Sequence, residues 1–235
     1  MRTWIFDIDA TLTPPRSKIN DGFEEFFYNW ILKNNTYLCS GSDIDKLKEQ
    51  LTPRILNGVK GVFACMANAY YKSGKEIYRK DFVPPIGLEE DLKYFLFSSL
   101  YEKKTGNHIE KRVGMWNFSI VGRNANIEER KHFKEWDDKR GTRKTISSYL
   151  NSRYRDKVEA SVGGDISIDI CNLERDKRQV VDSLPNLDFS KVIFIGDRIY
   201  PGGNDYELAK AVKARGGKYI NVKNWRETRK ILLNT

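Results

Sequence analysis

The sequence predicts an α/β fold, a doubly wound (Rossmann-like) parallel sheet interrupted by an inserted α+β module. Three observations predict it. The chain opens with the apolar run Thr3-Trp4-Ile5-Phe6, which ends in Asp7-Ile8-Asp9; a strand of this kind delivers carboxylates to its C-terminal edge, where open α/β sheets bind ligands. Strand-like and helix-like segments alternate after it. The texture changes near residue 83 at Pro84-Pro85 and returns to alternation near Lys177, as a linker into and out of an insertion would require.

In chain order, Phe23, Phe26, Phe27, Trp30 and Ile31 recur at helical spacing behind Asn20 or Asp21 as cap. Tyr37-Leu38-Cys39 reads as a second strand, followed by Ser40-Gly41-Ser42-Asp43 and a helix through Leu47 and Leu51. Gly61 to Met66 reads as a third strand, and Ala69 to Tyr78 as a hairpin turning at Ser73-Gly74. The insertion holds a helix from Leu88 to Leu100, strands within Lys111 to Gly122 around Gly114, and one long charged helical stretch from Glu128 to about Tyr154. Two strands, Val158 to Val162 and Ile166 to Cys171, flank Gly163-Gly164. Val192-Ile193-Phe194-Ile195 then has the continuous apolarity of a buried parallel strand and ends at Gly196-Asp197. A helix from Asn204, a strand from Tyr219 to Val222 and a final helix close the chain. The expected division is a catalytic core of 1–82 and 177–235, with the cap at 83–176.

The 235 residues are 40% hydrophobic and 31% charged, the composition of a soluble globular protein. No segment approaches the ~18 uninterrupted apolar residues of a membrane span, and no charged-then-apolar leader opens the chain. The expectation is a cytoplasmic protein that makes no use of a membrane. Cys39, Cys65 and Cys171 lie too far apart for a metal-ligand spacing and read as buried reduced thiols. His108 and His132 show neither a zinc pattern nor triad partners. A net charge of +9 favours an anionic partner: nucleic acid, an anionic membrane surface or a phosphorylated small molecule. Charge alone does not choose among them.

The carboxylates choose better. In an extended chain Asp7 and Asp9 point to one face. Two like charges so close need a shared proton or a cation, unless they simply close the strand in an ordinary turn. Asp197 also follows an apolar strand and can converge with them. Three carboxylates at one sheet edge suit a hard cation such as Mg²⁺.

At this point the chain resembles a known family. Asp7-Ile8-Asp9-Ala10-Thr11, a Ser after the second strand, Lys177 and Gly196-Asp197 resemble the four motifs of the haloacid dehalogenase (HAD) superfamily. Asp7 to Lys18, Ser40 to Asp43, Gly114 to Arg123, Gly163 to Asp169 and Gly196 to Asp205 are similar to the eukaryotic-type phosphomannomutases, in family order. The resemblance implies a HAD-like core with an α+β cap. It implies that a phosphohexomutase interconverts mannose 6-phosphate and mannose 1-phosphate here, with Mg²⁺ and a hexose 1,6-bisphosphate activator. Asp7 would be the nucleophile, forming an aspartyl phosphate, and Asp9 the general acid/base. Asp7, Asp197 and the Asp9 backbone carbonyl would hold the metal, and Lys177 would offset phosphoryl charge. Ser42 matches the family's serine residue by residue, while Ser40 stands where other superfamily members carry Ser or Thr; either can be the phosphate contact. Arg16, Arg112, Arg123 and Arg130 match phosphate-binding arginines, and Ser167 and Asp169 match sugar-hydroxyl contacts. Asn204 and Asp205 close the last motif in supporting positions. The related mutases commonly dimerise through the cap, which implies a possible homodimer.

The chain departs from the pattern at Ala10, where the family has Gly, and at Ala67 and Ala69 around Asn68, where it has Glu-Asn-Gly. Ala211 and Ala214 replace an Asp and a Thr of a second, structural cation site; Arg198 replaces a Lys and Asp165 a Gln. Two alternatives stay open: a sugar-phosphate phosphatase on the same scaffold, and a non-catalytic nucleic-acid-binding relative. The retained carboxylates favour an enzyme over the latter.

Overall fold

A computed structural model describes residues 2–235 of the protein. It divides into two compact units: the chain up to Arg79 together with Arg175–Thr235, and Lys80–Glu174.

In the first unit β1 (Thr3–Phe6) is buried throughout, because both its faces are covered. α1 (Asp21–Ile31) is capped by the Asn20 side chain, which accepts the Phe23 N–H. Its Phe27 ring meets Phe6 edge-on at 5.3 Å, and Trp30 meets Trp4 likewise at 5.2 Å. β2 (Asn35–Cys39) leads to α2 (Ile44–Gln50), capped by Asp43, and to α3 (Pro53–Gly58). That third helix was not expected; it starts on Pro53, a residue suited to a first helical position. β3 (Gly61–Ala64) stops two residues short of Met66, because Cys65, Met66 and Ala67 take φ of 52°, 57° and 64° and leave the extended region. β4 (Ala69–Lys72) and β5 (Lys75–Arg79) form the hairpin, with Ser73 and Gly74 both at positive φ as a type I′ turn requires.

In the second unit α4 (Leu88–Ser98) precedes β6 (Ile109–Arg112) and β7 (Met115–Phe118). The charged stretch expected as one helix is two, α5 (Ile127–Arg140) and α6 (Thr142–Arg153), broken at Gly141 with φ 67°. β8 (Val158–Gly163) and β9 (Ser167–Asn172) complete a sheet of order β6-β7-β9-β8, antiparallel throughout. Trp116, Phe118, Ile168 and Ile170 on one face of it form a core with Leu92, Phe133, Ile146 and Leu150.

The chain then returns to the first unit. Lys177, expected to open a helix, lies in a turn ahead of α7 (Gln179–Asp182). β10 (Val192–Gly196) is followed by α8 (Tyr206–Ala214), which starts two residues after Asn204, then β11 (Lys218–Asn221) and α9 (Trp225–Leu232). The core sheet runs β11-β10-β1-β2-β3-β4-β5. Its first five members are parallel and the hairpin is antiparallel. Ile5 and Phe194 pack with Val180, Leu208 and Val212 on the face opposite α1. No helix among the described residues is long and apolar enough to cross a membrane.

Candidate active site

The sheet order decides which side chains meet. β10 and β2 flank β1 in parallel, with Phe6 level with Ile195 and Leu38. Asp7, Ser40 and Asp197 therefore leave the sheet at the same C-terminal edge, the ligand-binding edge of such folds. The Asp7 N–H still bonds the Ile195 carbonyl at 2.9 Å, which ties the first residue past β1 to the neighbouring strand.

Lys177 is fully buried, and its Nζ donates to Asp7 Oδ1 and, at 2.6 Å, to Asp205 Oδ1. Asp205, also fully buried, accepts the Arg198 N–H on its other oxygen at 3.1 Å. This placement needs Gly196: a Cβ there would lie 2.6 Å from Asp205 Oδ2. Carboxylate oxygens of Asp7, Asp197 and Asp205 lie within 4.8 Å of one another. Three carboxylates against one ammonium leave a local excess of negative charge, which only protons or a cation can neutralise. Without a cation, burial first and Asp205 second push Asp7 up to about 7, against the pull of Lys177. The same two causes push Asp197 up to about 6. Burial works against the charge on Lys177, but Asp205 and Asp7 outweigh it and raise its pKa. An all-oxygen donor set of this kind fits a hard divalent cation.

The Asp9 carboxylate stands outside that cluster. Its Oδ1 accepts the Arg16 backbone N–H at 2.6 Å and Gln50 Nε2 at 2.8 Å, so two donors orient the carboxyl group. Gln50 is a contact that the sequence reading missed; it sits one position before the apolar Leu51, where it reads as part of a helix end. Arg16 is exposed, and what the fold uses of it here is its backbone. Ser40 is buried and its Oγ accepts the Ser42 N–H at 3.1 Å, while Ser42 is half-buried. Asn204 is exposed, whereas its neighbour Asp205, expected only in support, is the second partner of Lys177.

The second unit gathers the other set of expected residues on the polar face of its sheet. Glu110 is level with Asn117, and Asn117 with Asp169, across β6, β7 and β9. Arg123 Nη1 donates to Ser167 Oγ at 2.8 Å and its Nε to Glu110 Oε2 at 3.1 Å; Arg112 Nη2 donates to the same Glu110 oxygen. Asn117 Nδ2 donates to Asp169, whose pKa is raised by burial against the opposing effects of Asn117, Arg112 and Arg123. Arg130, in the first turn of α5, spends its guanidinium on the carbonyls of Ala125 (2.7 Å) and Arg123 (2.8 Å). It braces the loop that carries Arg123.

Comparison with known proteins joins these observations. The profile of the eukaryotic phosphomannomutases matches residues 23–235. The chain belongs to that family. A phosphomannomutase of Dictyostelium discoideum is 34% identical over 213 residues, covering 87% of this chain and 85% of the relative. The phosphomannomutase of Drosophila melanogaster is 34% identical over 214 residues (87% and 84%), and that of Saccharomyces cerevisiae 32% over 211 (87% and 83%). Among solved structures, a haloacid dehalogenase-like hydrolase from Bacteroides thetaiotaomicron superposes with a TM-score of 0.67 at 13% identity, covering 99% of this chain and 98% of that one. The C-terminal domain of Candida albicans trehalose-6-phosphate phosphatase gives 0.63 at 16% identity, covering 98% and 90%. These likenesses establish the HAD-like fold of this phosphomannomutase-family chain. The profile match begins after Asp7, Asp9 and Arg16, so for those three the argument rests on their own geometry.

Proposed function

We propose that the protein interconverts mannose 6-phosphate and mannose 1-phosphate through an aspartyl phosphate on Asp7. The observation that carries this is Lys177, fully buried and shared between Asp7 and Asp205 at the sheet edge. A buried ammonium held by two carboxylates is costly as a purely structural device, but it offsets charge on an incoming phosphoryl group. With Asp7 already phosphorylated, the free hydroxyl of the sugar monophosphate gives its proton to Asp9 and attacks the phosphoaspartate, and the bond from phosphorus to Asp7 breaks. In the second half Asp7 attacks the other phosphorus of the resulting bisphosphate, and the bond from that phosphorus to the sugar oxygen breaks. Asp9 returns the proton to that oxygen, which leaves the isomeric monophosphate and restores the phosphoaspartate. Because the donors to Asp9 both land on Oδ1, Oδ2 is the oxygen left for proton transfer. Either Ser42 or Ser40 hydrogen-bonds the transferred phosphoryl group.

Asp7 and Asp197, with Asp205 beside them, are the residues that would hold Mg²⁺; when bound it neutralises their charge and the charge developing on phosphate. A hexose 1,6-bisphosphate primes Asp7. Arg112 and Arg123 seat the phosphate that is not being transferred, and Ser167 and Asp169 meet sugar hydroxyls. Planar guanidinium groups suit that task because they bind phosphate bidentately.

The test is incubation of the pure protein with mannose 1-phosphate, Mg²⁺ and catalytic glucose 1,6-bisphosphate. Mannose 6-phosphate is the expected product; inorganic phosphate without isomerisation would assign the chain to sugar-phosphate hydrolysis instead. Asp7→Asn should lower turnover by on the order of 10³-fold or more, since loss of the nucleophile removes the covalent route.

A further inference from the structure

Glu110 is a carboxylate inside a phosphate seat. Its Oε2 accepts from Arg112 and, at 3.1 Å, from Arg123 Nε, so one oxygen bridges two guanidinium groups as a phosphate oxygen would. The bridge is accessible: the side chains of Glu110, Arg112 and Arg123 keep 33%, 35% and 21% of their exposure. Glu110 shares the sheet face with Asn117 and Asp169, not with the apolar core formed by Trp116 and Phe118. Burial and the neighbouring Arg112 lower the pKa of Arg123, and Glu110 works against both.

We propose that Glu110 is a built-in counter-ion of the cap's arginine seat, a specificity-determining residue that keeps phosphate binding weak enough to exchange during turnover. The reading rests on the mutase activity above. A sugar bisphosphate that must present first one phosphate and then the other to Asp7 has to leave and re-enter its seat within one catalytic cycle. Two unopposed guanidinium groups would hold a phosphate dianion too long, because bidentate charge-assisted hydrogen bonds are among the strongest available to it. A carboxylate that reoccupies the arginines as phosphate leaves lowers the cost of departure, and it keeps both forks in place for the return. It also selects against weakly charged anions, which cannot displace it.

A mere tether and a counter-ion differ in what glutamine does. Glu110→Gln keeps an oxygen acceptor for both arginines but removes the charge. Inorganic phosphate is titrated calorimetrically into the full-length protein with EDTA present, where the acidic cluster of the first unit repels the anion. Arg123→Ala serves as the control that removes the seat. The dissociation constant of Glu110→Gln should fall by about three- to tenfold relative to the parent, the effect of deleting one like charge at hydrogen-bond range in a partly solvated site. Glu110→Asp, which retains the charge, should stay near the parent. In the mutase assay Glu110→Gln should lower KM and kcat together. Unchanged or weaker phosphate binding in Glu110→Gln, or no phosphate binding by the parent, overturns the proposal, as does a raised KM. The titration needs no turnover, so it judges Glu110 even if the parent isomerises nothing, an outcome that would count against the mutase reading alone.

Discussion

Ala10 sits at φ 59° in the turn that presents Asp9, a turn in which the Ile8 carbonyl receives the N–H groups of Thr11, Leu12 and Thr13. A left-handed conformation crowds any Cβ, and glycine avoids that cost. Ala10→Gly should therefore stabilise the protein by about 1 kcal/mol less the added freedom of the unfolded chain, a net gain of a few tenths of a kcal/mol or more. Thermal unfolding measures it, and a lower Tm would mean that the turn tolerates the methyl group without strain. The same crowding recurs at Cys65, Met66 and Ala67, where neighbouring groups hold the chain in place. Gln179 Nε2 donates to the Met66 carbonyl at 3.0 Å and Tyr78 Oη to that of Ala67 at 3.2 Å. At this scale the sequence was legible where spacing is local. Asp7 and Asp9 share a strand end and were read together. The Lys177 to Asp7 bond spans 170 positions and the Glu110 bridge joins a strand to a loop. Only the fold brings those groups within reach.

Among the elements, the break between α5 and α6 is the place where a charge pattern misled. Glu128 to Tyr154 is helical in composition almost throughout, and an isolated glycine within such a run is tolerated in many helices. Here Gly141 takes φ 67°, ends α5 through its N–H to the Asp137 carbonyl, and starts α6. The turn is locked from outside it as well, because buried Arg143 donates its backbone N–H to Asp137 Oδ1 and its Nε to Oδ2. No atom lies within 4 Å of a Cβ built on Gly141. Gly141→Ala should thus cost about 1 kcal/mol through backbone conformation alone, read as a lower midpoint in urea with an unchanged slope. A much larger loss would point to packing that the open surroundings do not contain. The strands were easier to read than the helices for a physical reason. Buried parallel strands such as β10 are continuous apolar runs, whereas α3 has six residues and too few turns to display a periodicity.

Across the whole molecule, the acidic cluster ties folding stability to pH. In the unfolded chain Asp7 and Asp197 lose their protons near 3.8, while in the folded protein they keep them until about 7 and about 6. Between those limits the folded state binds more protons than the unfolded one, so stability falls as pH rises. Carboxylates shifted the other way, such as Asp188, lowered to about 2 by Lys191 and Ser190, lose their contribution only below the unfolded value of 3.8. Lys177, with its pKa raised, is charged in both states throughout. Tm in EDTA should therefore decline from pH 5 to 7 as Asp7 and Asp197 lose their protons, and Asp169, whose pKa burial also raises, pulls in the same direction. A divalent cation held by the ionised pair would have to displace their protons at low pH. At a hundredfold excess over its dissociation constant at pH 7.5, Mg²⁺ should accordingly stabilise the protein by about 2.7 kcal/mol at that pH, and the same concentration should raise Tm by less at pH 5.5. Differential scanning calorimetry at the two pH values, with EDTA and with Mg²⁺, measures both slopes. An equal gain at the two pH values would show that the cation binds away from these aspartates, because only groups that titrate in this window can make its effect depend on pH.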